Sequence, residues 1–108
     1  MDKEAVLEII ERFREALIEV GVEPAKMVLF GSYAGGHPHE GSDIDLVVIS
    51  EDFAGKDHWE RIVLMSDAIH KVWEPIEPVA MTPEEWENCD SLIALFARDG
   101  EVVAGSGA

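Results

Sequence analysis

Two short apolar segments, joined by a glycine-rich loop, constrain this chain more than any other feature. The first, residues 28–30, ends at Gly31-Ser32, and the second, residues 43–49, carries two acidic residues among branched apolar ones. Segments this rich in valine, leucine and isoleucine predict two buried β-strands. Because side chains on a strand alternate between its faces, we expect Asp43 and Asp45 to lie on one face of the second strand.

The spacing of the two aspartates predicts a metal site. Each strand residue rises about 3.3 Å, so the two carboxylates should stand about 7 Å apart on the same face. Without a counter-ion they would repel one another and raise each other's pKa. Hard divalent cations prefer carboxylate oxygens, and one or two such ions are therefore the natural complement of Asp43 and Asp45.

The turn at Gly31-Ser32 predicts an anion site beside the first strand. Glycine allows close approach to the backbone, and serine commonly caps a helix. If the segment after Ser32 is helical, its free N–H groups and the serine hydroxyl favour a phosphate. Phosphate donors and metal ligands would then meet at one place.

These residues resemble the signature of the nucleotidyltransferases of the DNA polymerase beta type, and among them the minimal nucleotidyltransferases. The signature is Gly-Ser, ten residues and Asp-x-Asp, and the segment from Gly31 to Asp45 matches it without a gap. The family has a third carboxylate on a later strand, before a helix start like Thr82-Pro83-Glu84-Glu85, which gives Glu77 that role. The resemblance covers residues 22–103 approximately, and its fixed motif spacing is specific.

The resemblance implies a reaction and a set of site residues. It implies transfer of AMP from ATP to a hydroxyl group, with release of pyrophosphate and two Mg2+ ions as cofactors. The catalytic and metal-binding residues would be the three carboxylates Asp43, Asp45 and Glu77. The nucleotide-binding residues would be those of the turn and of the loop end, namely Gly31, Ser32 and Ser42.

Two departures from the family pattern bear on activity. Family members usually carry Arg or Lys in the loop, as in Ala-Arg-Gly, whereas this chain has Ala34-Gly35-Gly36 and two histidines there. That change removes cations which would neutralise triphosphate oxygens. In addition, Glu77 stands where the family usually has aspartate, and its extra methylene would shift the metal that it holds.

Minimal members of this family are often encoded beside a helical HEPN-domain protein, a ribonuclease toxin, and act as its antitoxin, in some cases by adenylylating a tyrosine on it. The resemblance therefore implies a Mg2+-dependent protein adenylyltransferase antitoxin with a HEPN-domain partner. One alternative is a binding module, catalytically weak or inactive, that neutralises a basic partner by complex formation. Another is transfer to a small molecule such as an aminoglycoside, which is disfavoured because 108 residues leave no second domain to hold it.

Charge and length restrict the partners further. Eight basic residues against 23 acidic ones give a formal net charge of -15, which opposes binding to nucleic acid and favours a basic protein. The sequence leaves open whether the chain forms a homo-oligomer or a hetero-oligomer. The single cysteine excludes an internal disulfide framework, and the lack of a signal-peptide pattern or a membrane-length apolar run predicts a cytoplasmic protein without membrane contact.

Hydrophobic periodicity predicts an α/β (α+β) fold with a small mixed sheet flanked by helices, in the order α-β-α-β-α-β-α with a short final strand. The first helix should begin after Asp2 and end at Gly21, and Pro78 predicts an edge or irregular position for a third strand over residues 76–81. A helix over residues 57–73 should bury one stripe of apolar side chains, namely Trp59, Ile62, Met65, Ile69 and Val72. We expect one domain over residues 1–104 and a flexible tail over residues 105–108.

Overall fold

The structure is a computed structural model that describes residues 2–31, 43–88 and 92–105. It contains four α-helices in these ranges, α1 (Lys3–Glu19), α2 (His58–Val72), α3 (Pro83–Asn88) and α4 (Leu92–Ala97), and a short 3-10 helix over Glu51–Phe53. Its strands in the same ranges are β1 (Lys26–Phe30), β2 (Ile44–Ile49), β3 (Ile76–Met81) and β4 (Glu101–Gly105). The mixed fold and the short final strand agree with the prediction, while the helix expected after Ser32 falls outside the described residues.

The four strands form one mixed sheet in the order β3-β2-β1-β4. β1 pairs antiparallel with both β2 and β4, whereas β2 and β3 are parallel. A parallel pair needs a crossover connection, and α2 supplies it between β2 and β3. β3 is an edge strand, as Pro78 predicted, because proline has no N–H to donate to a further strand.

Apolar side chains on the two faces of the sheet form two separate cores. Ile44, Leu46 and Val48 of β2 point towards α1 and α2 and join the larger core. Val47 and Ile49 point to the opposite face, where the smaller core also contains Trp86 of α3 and residues of α4. Asp45 has the same parity as Val47 and therefore lies on the α3/α4 face of the sheet.

The helix starts follow from capping side chains. The Asp2 side chain accepts a hydrogen bond from the Ala5 N–H at 2.9 Å and begins α1 as predicted. Asp57 and Glu60 form a reciprocal capping box at the start of α2. Within the described ranges, no helix is both long enough and apolar enough to cross a membrane.

The buried stripe of α2 is rotated relative to the prediction. Met65 and Val72 are buried as expected, and Ala68 is buried between them. Trp59 and Ile62, predicted to lie in the core, are exposed. Those two predictions are wrong because helix periodicity shows that a face exists, but the contact with α1 decides which side of α2 is covered.

Candidate functional site

Two of the predicted site carboxylates meet across the parallel pair of strands. Asp45 of β2 is in register with Glu77 of β3, and on its other side it faces Phe30 of β1. Asp45 is half-buried and Glu77 is exposed. The carboxyl group of Asp45, when protonated, can donate a hydrogen bond to Glu77, so the two side chains lie close together.

The surroundings of Asp45 disfavour its negative charge. Burial is the largest cause that raises the pKa of Asp45, followed by the charge of Glu77, the hydrogen bond that protonated Asp45 donates to Glu77 and the charge of Asp43. All of these causes act in the same direction, and none of them comes from a cation. A like-charged, partly desolvated carboxylate pair of this kind is best stabilised by a bound cation.

The three predicted metal ligands are close in the fold but do not form a complete metal-binding site. Asp43 lies two residues before Asp45, on the same strand face, and is exposed to solvent. Among the described residues, no group of three or more His, Cys, Asp or Glu side chains has a geometry that could hold a metal ion. A cation bound between Asp45 and Glu77 would therefore require their mutual hydrogen bond to open and their oxygens to turn towards the ion.

Gly31 brings the backbone of the turn directly against the Asp45 carboxylate. It follows β1 with φ +74°, a left-handed conformation, and a Cβ at this position would lie 2.2 Å from Asp45 Oδ2. The sequence suggested that glycine here allows close approach, but it did not identify what approaches. Only the pairing of Phe30 with Asp45 across β1 and β2 places the carboxylate beside Gly31.

Ser32 and Ser42, the other two predicted nucleotide-binding residues, lie in residues 32–42, outside the described residues. The two histidines of the same loop lie there as well. The described neighbours of the carboxylates on this face are apolar, since Phe30 and Val79 pack against the smaller core. The site is thus a small acidic patch bordered by apolar side chains.

Most lysine and arginine side chains have partners other than Asp45 and Glu77. All eight lysines and arginines lie in the described residues, and five of them pair with carboxylates. Lys56 donates to the Asp52 carbonyl at 2.7 Å, and Arg98 stacks 4.8 Å over Trp86 and donates to two carbonyls at the end of α3. Lys26 begins β1, about 13 Å along the strand from Phe30. In the described parts of the chain, no basic side chain contacts Asp45 or Glu77.

A surface depression of about 630 Å³ lies at the other end of β3, where Arg61, Thr82 and Glu85 line it. These residues stabilise the start of α3. Arg61 Nη1 donates to Glu85 Oε1 at 2.7 Å, and Glu85 exchanges hydrogen bonds with Thr82 in the capping box of α3. Burial alone would raise the pKa of Glu85, but the hydrogen bonds from Arg61 and Thr82 lower it overall. The side chains of this depression are thus engaged in folding contacts, and the acidic patch remains the candidate site.

Comparisons with known proteins agree with the fold. Residues 9–91 match the family model of the nucleotidyltransferase domain. A provisionally assigned nucleotidyltransferase from Sulfolobus solfataricus superposes with a TM-score of 0.62 at 17% identity, covering 92% of this chain and 82% of that one. A toxin–antitoxin structure with AMP-PNP superposes with a TM-score of 0.60 at 22% identity, covering 90% of this chain and 73% of that one. Identities this low show a common fold, and no curated protein sequence matches the chain.

The family match and the geometry concern the same part of the molecule. The matched segment extends from α1 to just beyond α3 and so contains β1, β2 and β3, the strands that hold Gly31, Asp45 and Glu77 together. It also covers well over half of the chain. The chain therefore belongs to the nucleotidyltransferase domain family.

Proposed function

We propose that this chain is a Mg2+-dependent nucleotidyltransferase that transfers AMP from ATP to a hydroxyl group, a tyrosine of a HEPN-domain toxin, and thereby acts as an antitoxin. The observation that carries the proposal is the contact between Asp45 and Glu77, which crowds negative charge into one patch beside Gly31. Nothing in the packing of the fold requires two carboxylates there. Divalent cations bound with the triphosphate would supply the missing counter-charge.

Each site residue has a distinct task in this proposal. Asp43 and Asp45 hold the metal that accompanies the triphosphate, and Glu77 joins them in holding a second metal near the acceptor. Gly31, Ser32 and Ser42 bind phosphate oxygens through backbone N–H groups and hydroxyls. Bound Mg2+ supplies charge neutralisation for both the entering and the leaving oxygen.

The transfer itself is an in-line displacement at the α-phosphorus of ATP. The acceptor oxygen forms a bond to this phosphorus, the bond from phosphorus to the bridging oxygen breaks, and pyrophosphate leaves with that electron pair. The hydroxyl proton passes to a carboxylate at the site, for which Glu77 is suited because it is exposed at the open edge strand. The raised pKa of its partner Asp45 also favours proton acceptance in this patch.

Two findings support the choice of nucleotide and partner. The toxin–antitoxin structure that shares this fold contains AMP-PNP, an ATP analogue. The net charge of -15 favours a basic protein as acceptor over a nucleic acid. Together they support a toxin as the partner and ATP as the donor.

Incubation of the chain with the protein encoded beside it, Mg2+ and labelled ATP tests the reaction. We expect label on the neighbour from ATP labelled in the α-phosphate and none from ATP labelled in the γ-phosphate. Asp45→Asn should lower labelling at least about 100-fold, since even outer partners of metal ligands cost 10–100-fold. Glu8→Gln, which changes an exposed carboxylate of α1, is the matched control and should leave the rate unchanged.

Labelling that survives both Asp45→Asn and removal of Mg2+ would contradict the proposed chemistry. Binding of Mn2+ by the chain alone, followed by electron paramagnetic resonance, gives a readout that needs no acceptor. We expect Asp45→Asn to weaken this binding and Glu8→Gln to leave it unchanged. Equal Mn2+ binding by all three proteins would place the cation elsewhere.

One observation favours a second function, neutralisation of a basic partner by binding without transfer. The loop 32–42 contains no lysine or arginine, and the described cations are held away from the acidic patch. Triphosphate binding by the isolated chain would therefore depend on metal ions and backbone N–H groups alone. A tight complex that forms without labelling, and that inhibits the partner equally well with Asp43→Asn/Asp45→Asn, would establish this function instead.

A further inference from the structure

The solvent side of α2 carries apolar side chains that the fold leaves uncovered. Trp59 is 68% exposed and Val63 is 47% exposed, with Ile62 beside them. They lie one helical turn apart, on the side of α2 opposite to the buried Met65, Ala68 and Val72. At the end of the same helix, Trp73 is 78% exposed and stacks against His70 with ring centroids 6.1 Å apart. We call Trp59, Ile62, Val63, His70 and Trp73 the α2 face.

Trp73 is an unusual residue for its position. It ends α2 with φ 59° and ψ 45°, the left-handed conformation in which glycine is the common residue because a side chain costs energy there. Because the Trp73 side chain is mostly exposed, its burial offsets little of this conformational energy. The side chain lines a shallow apolar groove of about 300 Å³ together with Ile69, His70 and Pro75. Backbone strain at an exposed aromatic residue indicates a role in binding rather than in folding.

Acidic side chains follow one flank of the α2 face. Glu60 and Asp67 are seven residues apart, so they lie on the same side of the helix about two turns from each other. Glu74 continues this series after the helix end and pairs with Arg12 at 3.0 Å, while Lys71 on the same flank pairs with Glu19 at 3.2 Å. An occupant of the α2 face therefore meets an apolar centre and a negative flank.

We propose that the α2 face binds an amphipathic helix of a basic partner protein. The face runs from Trp59 to Trp73, about 21 Å along the helix axis, which matches about 14 residues of a second helix. Apolar side chains of the partner would cover the tryptophans, and its lysines or arginines would face Glu60 and Asp67. Tryptophan is also the residue type most often found to dominate binding energy at interfaces.

Charge argues against a second copy of this chain as the occupant. Each copy has a formal net charge of -15, and two acidic flanks would meet if two α2 faces packed together. A basic helix gains from the same charges. Docking at α2 is also independent of the transfer reaction, because α2 packs on the sheet face opposite to Asp45.

A model peptide tests the proposal on the chain alone. The probe is a 14-residue peptide of leucine and lysine with leucines at helical spacing, and a peptide of the same composition with scattered leucines is its control. We expect the amphipathic peptide to bind, with a blue shift of tryptophan fluorescence, and the scattered peptide to bind at least about tenfold more weakly. Asp45→Asn should leave peptide binding unchanged, so loss of the transferase chemistry does not affect this test.

Matched variants locate the binding site. Trp59→Ala/Val63→Ala should weaken peptide binding at least about tenfold, whereas Leu7→Ala/Ile18→Ala, which truncates two exposed apolar residues of α1, should not. Asp67→Lys should weaken it several-fold, whereas Glu87→Lys, the same charge change on α3 across the sheet, should have little effect. Equal losses in the paired variants would show non-specific charge attraction and would overturn the proposal.

Trp73→Gly separates binding from folding. Because glycine relieves the left-handed backbone, we expect the urea midpoint of this variant to rise while its peptide affinity falls. A fall in the urea midpoint with unchanged affinity would show that Trp73 serves the fold and would contradict the proposal. A stable homodimer in sedimentation experiments that is dissociated by Trp59→Ala/Val63→Ala would also contradict the proposal, since a second copy would then occupy the α2 face.

Discussion

Replacement of Gly31 by alanine tests the closest contact at the site. Gly31 has φ +74°, and a Cβ there would lie 2.2 Å from Asp45 Oδ2 and 3.1 Å from Asp45 Cγ. The left-handed backbone costs alanine about 1–2 kcal/mol. The displaced carboxylate adds about 0.5–1.5 kcal/mol for an unfavourable rotamer. We expect Gly31→Ala to lower the free energy of unfolding by about 1.5–3.5 kcal/mol.

Gly55→Ala is the matched control for the backbone cost. Gly55 has φ +77°, almost the value of Gly31, but a Cβ there would meet no atom within 4 Å. Its substitution should therefore cost only the left-handed backbone, about 1–2 kcal/mol. Urea unfolding followed by far-UV circular dichroism at pH 7 measures both variants, and unchanged m-values would show that the unfolded states are comparable.

A double-mutant cycle with Asp45→Ala completes the test. Removing the carboxylate leaves only Cβ of residue 45, 3.2 Å from the alanine Cβ at position 31. In this background the extra cost of Gly31→Ala over Gly55→Ala should mostly disappear. Equal losses for Gly31→Ala and Gly55→Ala in the wild-type background would refute the close approach of Gly31 to Asp45.

Two further predictions concern buried or crowded polar groups. Ser50→Ala should lower the free energy of unfolding by about 1–3 kcal/mol, because the fully buried hydroxyl donates to the Glu23 carbonyl at 2.8 Å. Ser66→Ala is the control in the same urea assay and should change the free energy of unfolding by less than about 0.5 kcal/mol. Asp45→Asn should stabilise the metal-free chain at neutral pH, since the amide can still hydrogen-bond to Glu77 without a second charge. The pKa of Asp45 is raised above 3.8, so its contribution to stability is present below that pH and is lost as the pH rises through the folded-state pKa. Urea midpoints of the two proteins should therefore diverge from acidic to neutral pH, and a constant difference would contradict this.

Much of the fold follows from local signals in the sequence. The apolar runs gave β1 and β2, and the proline in the third strand gave its edge position. Asp57 with Glu60, and Thr82 with Glu85, began their helices because their side chains satisfy free N–H groups at helix starts. Signals of this kind act within three or four residues, so they are readable without the tertiary structure.

The site depends on contacts that no local signal encodes. β2 and β3 are parallel and separated by the whole of α2, so their register cannot be derived from either strand. The role of Glu77 as third carboxylate was predicted from a family resemblance, and only the register of the sheet shows that it pairs with Asp45. The exposure of Trp59 has the same origin, because packing between α1 and α2 decides which side of α2 is buried. The last helix was predicted as one segment, whereas the described residues contain α3 and α4 with residues 89–91 between them.

The position of Asp45 is itself an argument for function. On the same face of β2, the two following positions are Val47 and Ile49, which pack into the smaller core. A chain selected only for stability would continue this pattern with an apolar residue at position 45, between Phe30 and the edge strand. Instead it has a partly desolvated carboxylate beside Glu77, and a glycine at position 31 leaves room for it. Since the paired carboxylates weaken the isolated fold, a bound cation offers the most direct reason for their coexistence.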